Sequence, residues 1–119
     1  MNKTPKIFWK ITKNINKKFC NNKLKVKEIF LFNKRSDYKC LEFPCPKGIY
    51  LVHAKKIGVK KNIPLLFQIC LFCHELVHAY QLQILKNKGR HDQEFHRIYF
   101  KFVNETDKTL NICLKGKEK

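Results

Sequence analysis

His74-Glu75-Leu76-Val77-His78 stands inside the most apolar part of this 119-residue chain, and no other feature narrows its folding so far. Residues 63–73 form the longest apolar stretch, eleven residues with Gln68 inside it. Asn62-Ile63-Pro64 can open a helix there and Gly89 can end one, which predicts a helix running to about Lys88. That segment is apolar on nearly every side through Leu82, so it is expected to be the central, buried helix. Residues four apart on a helix lie about 40° apart around the axis and roughly 6 Å along it. The imidazoles of His74 and His78 therefore project from one face and can close on one metal ion. Glu75 points about 100° away from His74, near the metal's water rather than on the metal. Phe67, Leu71, His74, His78, Leu82 and Leu85 form one stripe, in which the histidines replace core residues. Two imidazoles in an apolar stripe need partners, and a shared metal ion satisfies both.

A catalytic zinc takes three protein ligands and keeps a fourth position open, so a third ligand must come from beyond the helix. Ile84 occupies the position where the pattern HExxHxxGxxH requires histidine, which excludes that class. His91, thirteen residues past His78 and just after Gly89, is the best candidate, since a chain reversing there can return a side chain to the metal. His96 competes, but its place after Phe95 on a third helix reads as a solvated position. Glu105 is a weaker carboxylate alternative that needs the third helix to run back past the site.

Around this centre the pattern reads as one α+β domain spanning 1–119. Thr4-Pro5 is a helix start, and Phe8, Ile11, Ile15 and Phe19 recur at near-helical spacing, so a first helix is expected to about Cys20. Asn21-Asn22 breaks it. Alternation over residues 23–32 predicts a strand, residues 38–43 a second short one and residues 49–54 a third. They are expected to form a small antiparallel sheet. Asp92 can cap a third helix whose Phe95, Ile98, Tyr99 and Phe102 share a face.

The chain carries 26 Lys and Arg against 9 acids, a net +17. Residues 1–61 hold 17 bases and 3 acids, whereas 62–119 hold 9 and 6. The basic surface thus belongs to the first half, and a polyanionic partner fits it. Codon bias in an AT-rich genome also raises Lys, Asn and Ile together. Lys55, Lys56, Lys60 and Lys61, just before the long helix, are the candidate nucleic-acid contacts. The apolar run is too short to span a bilayer, and the N-terminus has no continuous hydrophobic segment. An intracellular location without a membrane partner is expected. The six cysteines then read as free thiols or metal ligands rather than disulfides, mostly small buried residues. Cys70-Leu71-Phe72-Cys73-His74 matches a c-type haem attachment pattern, but haem attachment needs an exported chain and His74 already belongs to the histidine pair.

His74-Glu75-Leu76-Val77-His78-Ala79-Tyr80, followed by His91-Asp92-Gln93-Glu94-Phe95, resembles the SprT-like (Spartan-type) zinc metalloproteases. Those proteins read HExxHA, a short spacer, then His-Gly-x-x-Phe or Trp. An N-terminal amphipathic helix, the Asn21 to Leu24 turn, three short strands and the active-site helix follow the same order over most of the chain. The resemblance implies a zincin-like fold and one catalytic Zn2+ held by His74, His78 and His91, with Glu75 as general base. It also implies a substrate lying along the sheet's edge strand, residues 49–54 here. Asp92 departs from the family's usual glycine, and the C-terminal zinc ribbon of many bacterial members has no counterpart in this sequence.

The expectation is a monomeric zinc-dependent peptidase acting on proteins or peptides, DNA-associated ones included, with non-specific DNA as a partner. The rival is a DNA-binding protein with a structural zinc and no catalysis. Glu75 discriminates between them, because a structural site has no use for an acid beside the metal's water. Tyr50, His53 and Tyr99 are equal candidates for stabilising an oxyanion.

Overall fold

Helix α1 (Lys6–Phe19) has two faces of opposite character. Phe8, Ile11 and Ile15 are buried at helical spacing, whereas Lys6, Lys10, Lys13 and Lys17 are exposed. The structure, a computed structural model, describes residues 6–32, 48–51, 54–86 and 91–110. The helix stops where expected, at Asn21 and Asn22, both with left-handed backbone (φ 51° and 60°). Asparagine tolerates that conformation better than most residues.

Residues 23–27 are not a strand, although Leu24 and Val26 alternate with lysines. Side-chain amides take the place of a neighbouring strand. Asn16 donates to the Leu24 carbonyl and accepts from the Leu24 N–H, both at 2.9 Å. Gln83 brackets Lys25 in the same way, at 2.7 and 2.8 Å. With their backbone groups satisfied there, these residues need no ladder. Strand β1 is therefore only Glu28–Phe32.

Strand β2 (Gly48–Leu51) overlaps the expected third strand at residues 49–51 and begins one residue earlier, and the expected strand at residues 38–43 falls outside the described residues. Strand β3 (Lys56–Lys60) was not anticipated. Its signal is the alternation of Ile57 and Val59, both fully buried, between the lysines read as a charge cluster. The sheet order is β1-β3-β2, with β3 parallel to β1 and antiparallel to β2. The sheet is thus mixed, not antiparallel, because β3, which lies between the other two, runs in the same direction as β1. Gly58 lets the Phe30 ring cross β3, since a β-carbon there would stand 2.5 Å from Phe30 Cζ.

Helix α2 (Leu65–Tyr80) packs on β2 and β3 on one side and against α3 (Gln93–Leu110) and α1 on the other. Its Ile69, Phe72, Cys73, Leu76, Val77 and Ala79 are the buried centre, with Phe8 and Phe72 ring centroids 4.9 Å apart. The stripe containing the histidines faces the open side instead of the core. Phe67 in that stripe is 48% exposed, and His74 and His78 are half-buried. Gln68 ties the helix start to the end of β3, donating to the Lys60 and Lys61 carbonyls at 3.1 and 2.9 Å. The helix does not continue regularly to Lys88: a π-helical turn, Gln81–Leu85, follows, and Lys86 ends it with left-handed backbone (φ 55°). By length and composition alone Leu65–Leu85, at 21 residues, would reach across a bilayer. Half of its most apolar window is taken up by the core of this fold.

Candidate metal centre

Three histidines, two from α2 and one from the segment that leads into α3, meet on the open face of α2. His74 and His78 stand one turn apart on α2, and His91 immediately precedes α3. Asp92 fixes the approach of His91 by capping α3: its carboxylate accepts from the Phe95 N–H at 3.0 Å. Phe95, 2% exposed, lies beneath all three imidazoles, at 4.8, 5.0 and 4.8 Å from the rings of His74, His78 and His91.

His91 Nε2 lies 3.1 Å from His74 Nε2 and 2.9 Å from His78 Nε2. One ring nitrogen of each residue lies within 4.8 Å of the others. Nitrogens at 2.0–2.1 Å from a tetrahedral zinc stand about 3.3 Å apart, so both distances from His91 are within a few tenths of an ångström of that spacing. Three imidazole nitrogens gathered this closely suit a divalent cation, which would remove the repulsion between their lone pairs. His74 is pushed down to about 4, first by burial and then by the neighbouring charges of His78, His91 and His96. It is therefore neutral near pH 7, the form a metal requires.

Glu75 is not one of the three converging groups. It is 8% exposed, and burial pushes its carboxyl up to about 8. The backbone of β2 lies against it: a β-carbon on Gly48 would stand 3.1 Å from Glu75 Oε2. The edge strand and this carboxyl are thus neighbours. A nearby cation favours the ionised form, so metal binding would lower this raised value and favour the carboxylate that a base requires.

The remaining sequence candidates separate in space. His96 is exposed and lies outside the cluster, as its sequence position suggested. Glu105 pairs with Lys18 at 2.9 Å. The Tyr50 hydroxyl accepts from Gln83 at 2.8 Å, Tyr99 stacks on Phe95 with its ring 6.3 Å from His74, and His53 falls outside the described residues. Cys20, Cys70 and Cys73 are thiols; Cys73 is fully buried with Sγ 3.5 Å from Thr106 Oγ1. Cys40, Cys45 and Cys113 fall outside the described residues. The four candidate lysines do not form one free patch. Lys56 lies 3.0 Å from the Glu28 carboxylate, Lys55 is at the turn before β3, and Lys60 and Lys61 are at its far end. Gly48, Phe95 as the floor and Gln81 beside His78 were not foreseen as parts of the site. Only the Phe95 position had a signal, four residues after His91.

No protein-family model matches the chain, and no curated protein or solved structure does either.

Proposed function

We propose that this chain is a zinc-dependent peptidase, of the zincin-like kind represented by the SprT-like proteins. One observation carries the reading: three imidazole nitrogens within 4.8 Å of one another stand beside a buried glutamate in the spacing HExxH. When bound, zinc would supply a Lewis acid for a peptide carbonyl and make a water molecule a better nucleophile at neutral pH. His74, His78 and His91 are the residues to hold it.

Glu75 takes the proton of the attacking water at its carboxylate and returns it to the leaving amine as the peptide bond breaks. A group placed by burial near neutral pH suits both roles. Strand β2, at the edge of the sheet among the described residues and lying against Glu75, is where an extended peptide could pair. Phe95 excludes water from below the histidines, which strengthens electrostatic interactions above it.

The buried acid also favours catalysis over a purely structural metal. The test is metal analysis of the purified protein together with cleavage of a peptide library by wild type and Glu75→Gln. Zinc in both and cleavage only by wild type supports the peptidase; zinc in both and cleavage by neither leaves a structural site.

A further inference from the structure

Gln81 is among the most deeply buried side chains of the protein, at 1% exposure, although a primary amide is costly to bury without hydrogen bonds. It opens the π-helical turn, its own N–H donating to the carbonyls of His78 and Val77. Its side chain turns back on the helix, so that Oε1 lies 3.2 Å from His78 Nδ1. An amide oxygen only accepts. The proton in this contact must therefore sit on Nδ1, which leaves the Nε2 lone pair directed at the histidine cluster, 2.9 Å from His91 Nε2.

We propose that Gln81 is a positioning residue for the metal centre, holding His78 in the Nδ1–H tautomer and in the ring orientation that presents Nε2 as a ligand. The inference rests on the metal-site reading above but acts through the contact between Gln81 and His78, not through the ion. Histidine ligands commonly donate their second N–H to a fixed acceptor, and loss of that acceptor lowers metal affinity about 10- to 100-fold. The π-helical turn belongs to the same device. Widened turns of this kind occur often at functional sites, and this one begins at the residue that touches the ligand.

Two variants separate positioning from packing. Gln81→Met keeps the volume and removes the acceptor; Gln81→Glu keeps an acceptor in the same place. Each is measured in two ways: 15N NMR of the His78 ring in chelator-treated protein at pH 8, and zinc affinity by competition with a chromophoric chelator. The expected result is an Nδ1–H tautomer in wild type and Gln81→Glu, and its loss in Gln81→Met with about 10- to 100-fold weaker zinc binding. Gln81→Glu is expected to bind zinc within a few-fold of wild type, by analogy with carboxylate acceptors. A wild-type ring carrying its proton on Nε2, or a Gln81→Met variant with unchanged tautomer and zinc affinity, overturns the proposal. A wild type that shows the tautomer yet takes no zinc sinks the metal-site reading and leaves the Gln81 contact standing.

Discussion

Gly48 and Glu75 touch across the boundary between the sheet and the central helix: a β-carbon on Gly48 would lie 3.1 Å from Glu75 Oε2 and 3.4 Å from its Cγ. The carboxyl therefore occupies space that a side chain on Gly48 would need. Gly48→Ala is expected to push the carboxylate by a few tenths of an ångström. Misplacement of about 1 Å can cost 10²-fold in rate, so a loss of about tenfold in kcat is anticipated with zinc affinity unchanged. Equal kcat in Gly48→Ala and wild type would show that the strand does not set the base.

Glu75→Gln preserves shape and removes the proton acceptor. It should retain zinc at wild-type stoichiometry while peptide cleavage falls by about 10²- to 10⁴-fold, the usual worth of a general base. Single-turnover cleavage measured beside metal content makes the comparison. A variant that cleaves at near wild-type rate removes Glu75 from the mechanism.

The histidine assignment has its own check. His78→Ala should lose the metal, because the remaining pair, His74 and His91, leaves the site one ligand short. Cys40→Ser and Cys45→Ser should keep it, since two thiols do not make a structural zinc site. Metal analysis after gel filtration reads both, and zinc kept by the histidine variant but lost by the cysteine variants would reverse the assignment.

The parts of this site that were legible in the sequence are those fixed by local geometry. Helical spacing alone brings His74 and His78 to one face, and Asp92 caps α3 as its residue type and position imply. His91 was reachable because a chain reversal after the long helix returns it to the same face. The sheet was less legible, because β3 carries its pattern on only Ile57 and Val59 and, besides its neighbour β2, pairs in parallel with β1, which is distant in sequence. Residues 23–27 misled for the opposite reason: their alternation is real, but the amides of Asn16 and Gln83 satisfy the backbone that a strand would have used. Which way the histidine stripe faces is a tertiary choice. The helix is apolar nearly all round, so its own pattern does not say which side stays open.

Metal-free protein should show the burial of Glu75 as a pH dependence of stability. Its carboxyl is raised from 4.5 to about 8, so the stability it contributes is complete below pH 4.5 and is lost as pH rises through 8. His74 works in the other direction: lowered from 6.5 to about 4, it contributes stability above pH 6.5 that is lost as pH falls through 4. The two slopes oppose each other between pH 4.5 and 6.5, and only that of Glu75 remains from 6.5 to 8. Urea unfolding of chelator-treated wild type should therefore weaken over that upper window while Glu75→Gln does not. Parallel curves for the two proteins would mean that Glu75 is solvated in the metal-free fold.

The basic half of the chain yields a prediction about nucleic acid in which the fold redirects attention from one group of lysines to another. Lys56 is already paired with Glu28, and Lys55 is separated from Lys60 and Lys61 by the length of β3. Helix α1 has no acid among its 14 residues, and its exposed Lys6, Lys10, Lys13 and Lys17 recur at intervals of four, three and four. That spacing places all four ammonium groups within about 60° of one another around the helix. Each phosphate neutralised on duplex DNA steepens the fall of log affinity with log salt by about 0.9. Changing the four α1 lysines to Gln should therefore flatten the salt dependence of DNA binding more than changing Lys55, Lys56, Lys60 and Lys61 to Gln. Binding measured across a salt series with each set decides the matter. Equal slopes in wild type and both variants would assign these lysines to a solvated surface shaped by codon usage, with no part in holding DNA.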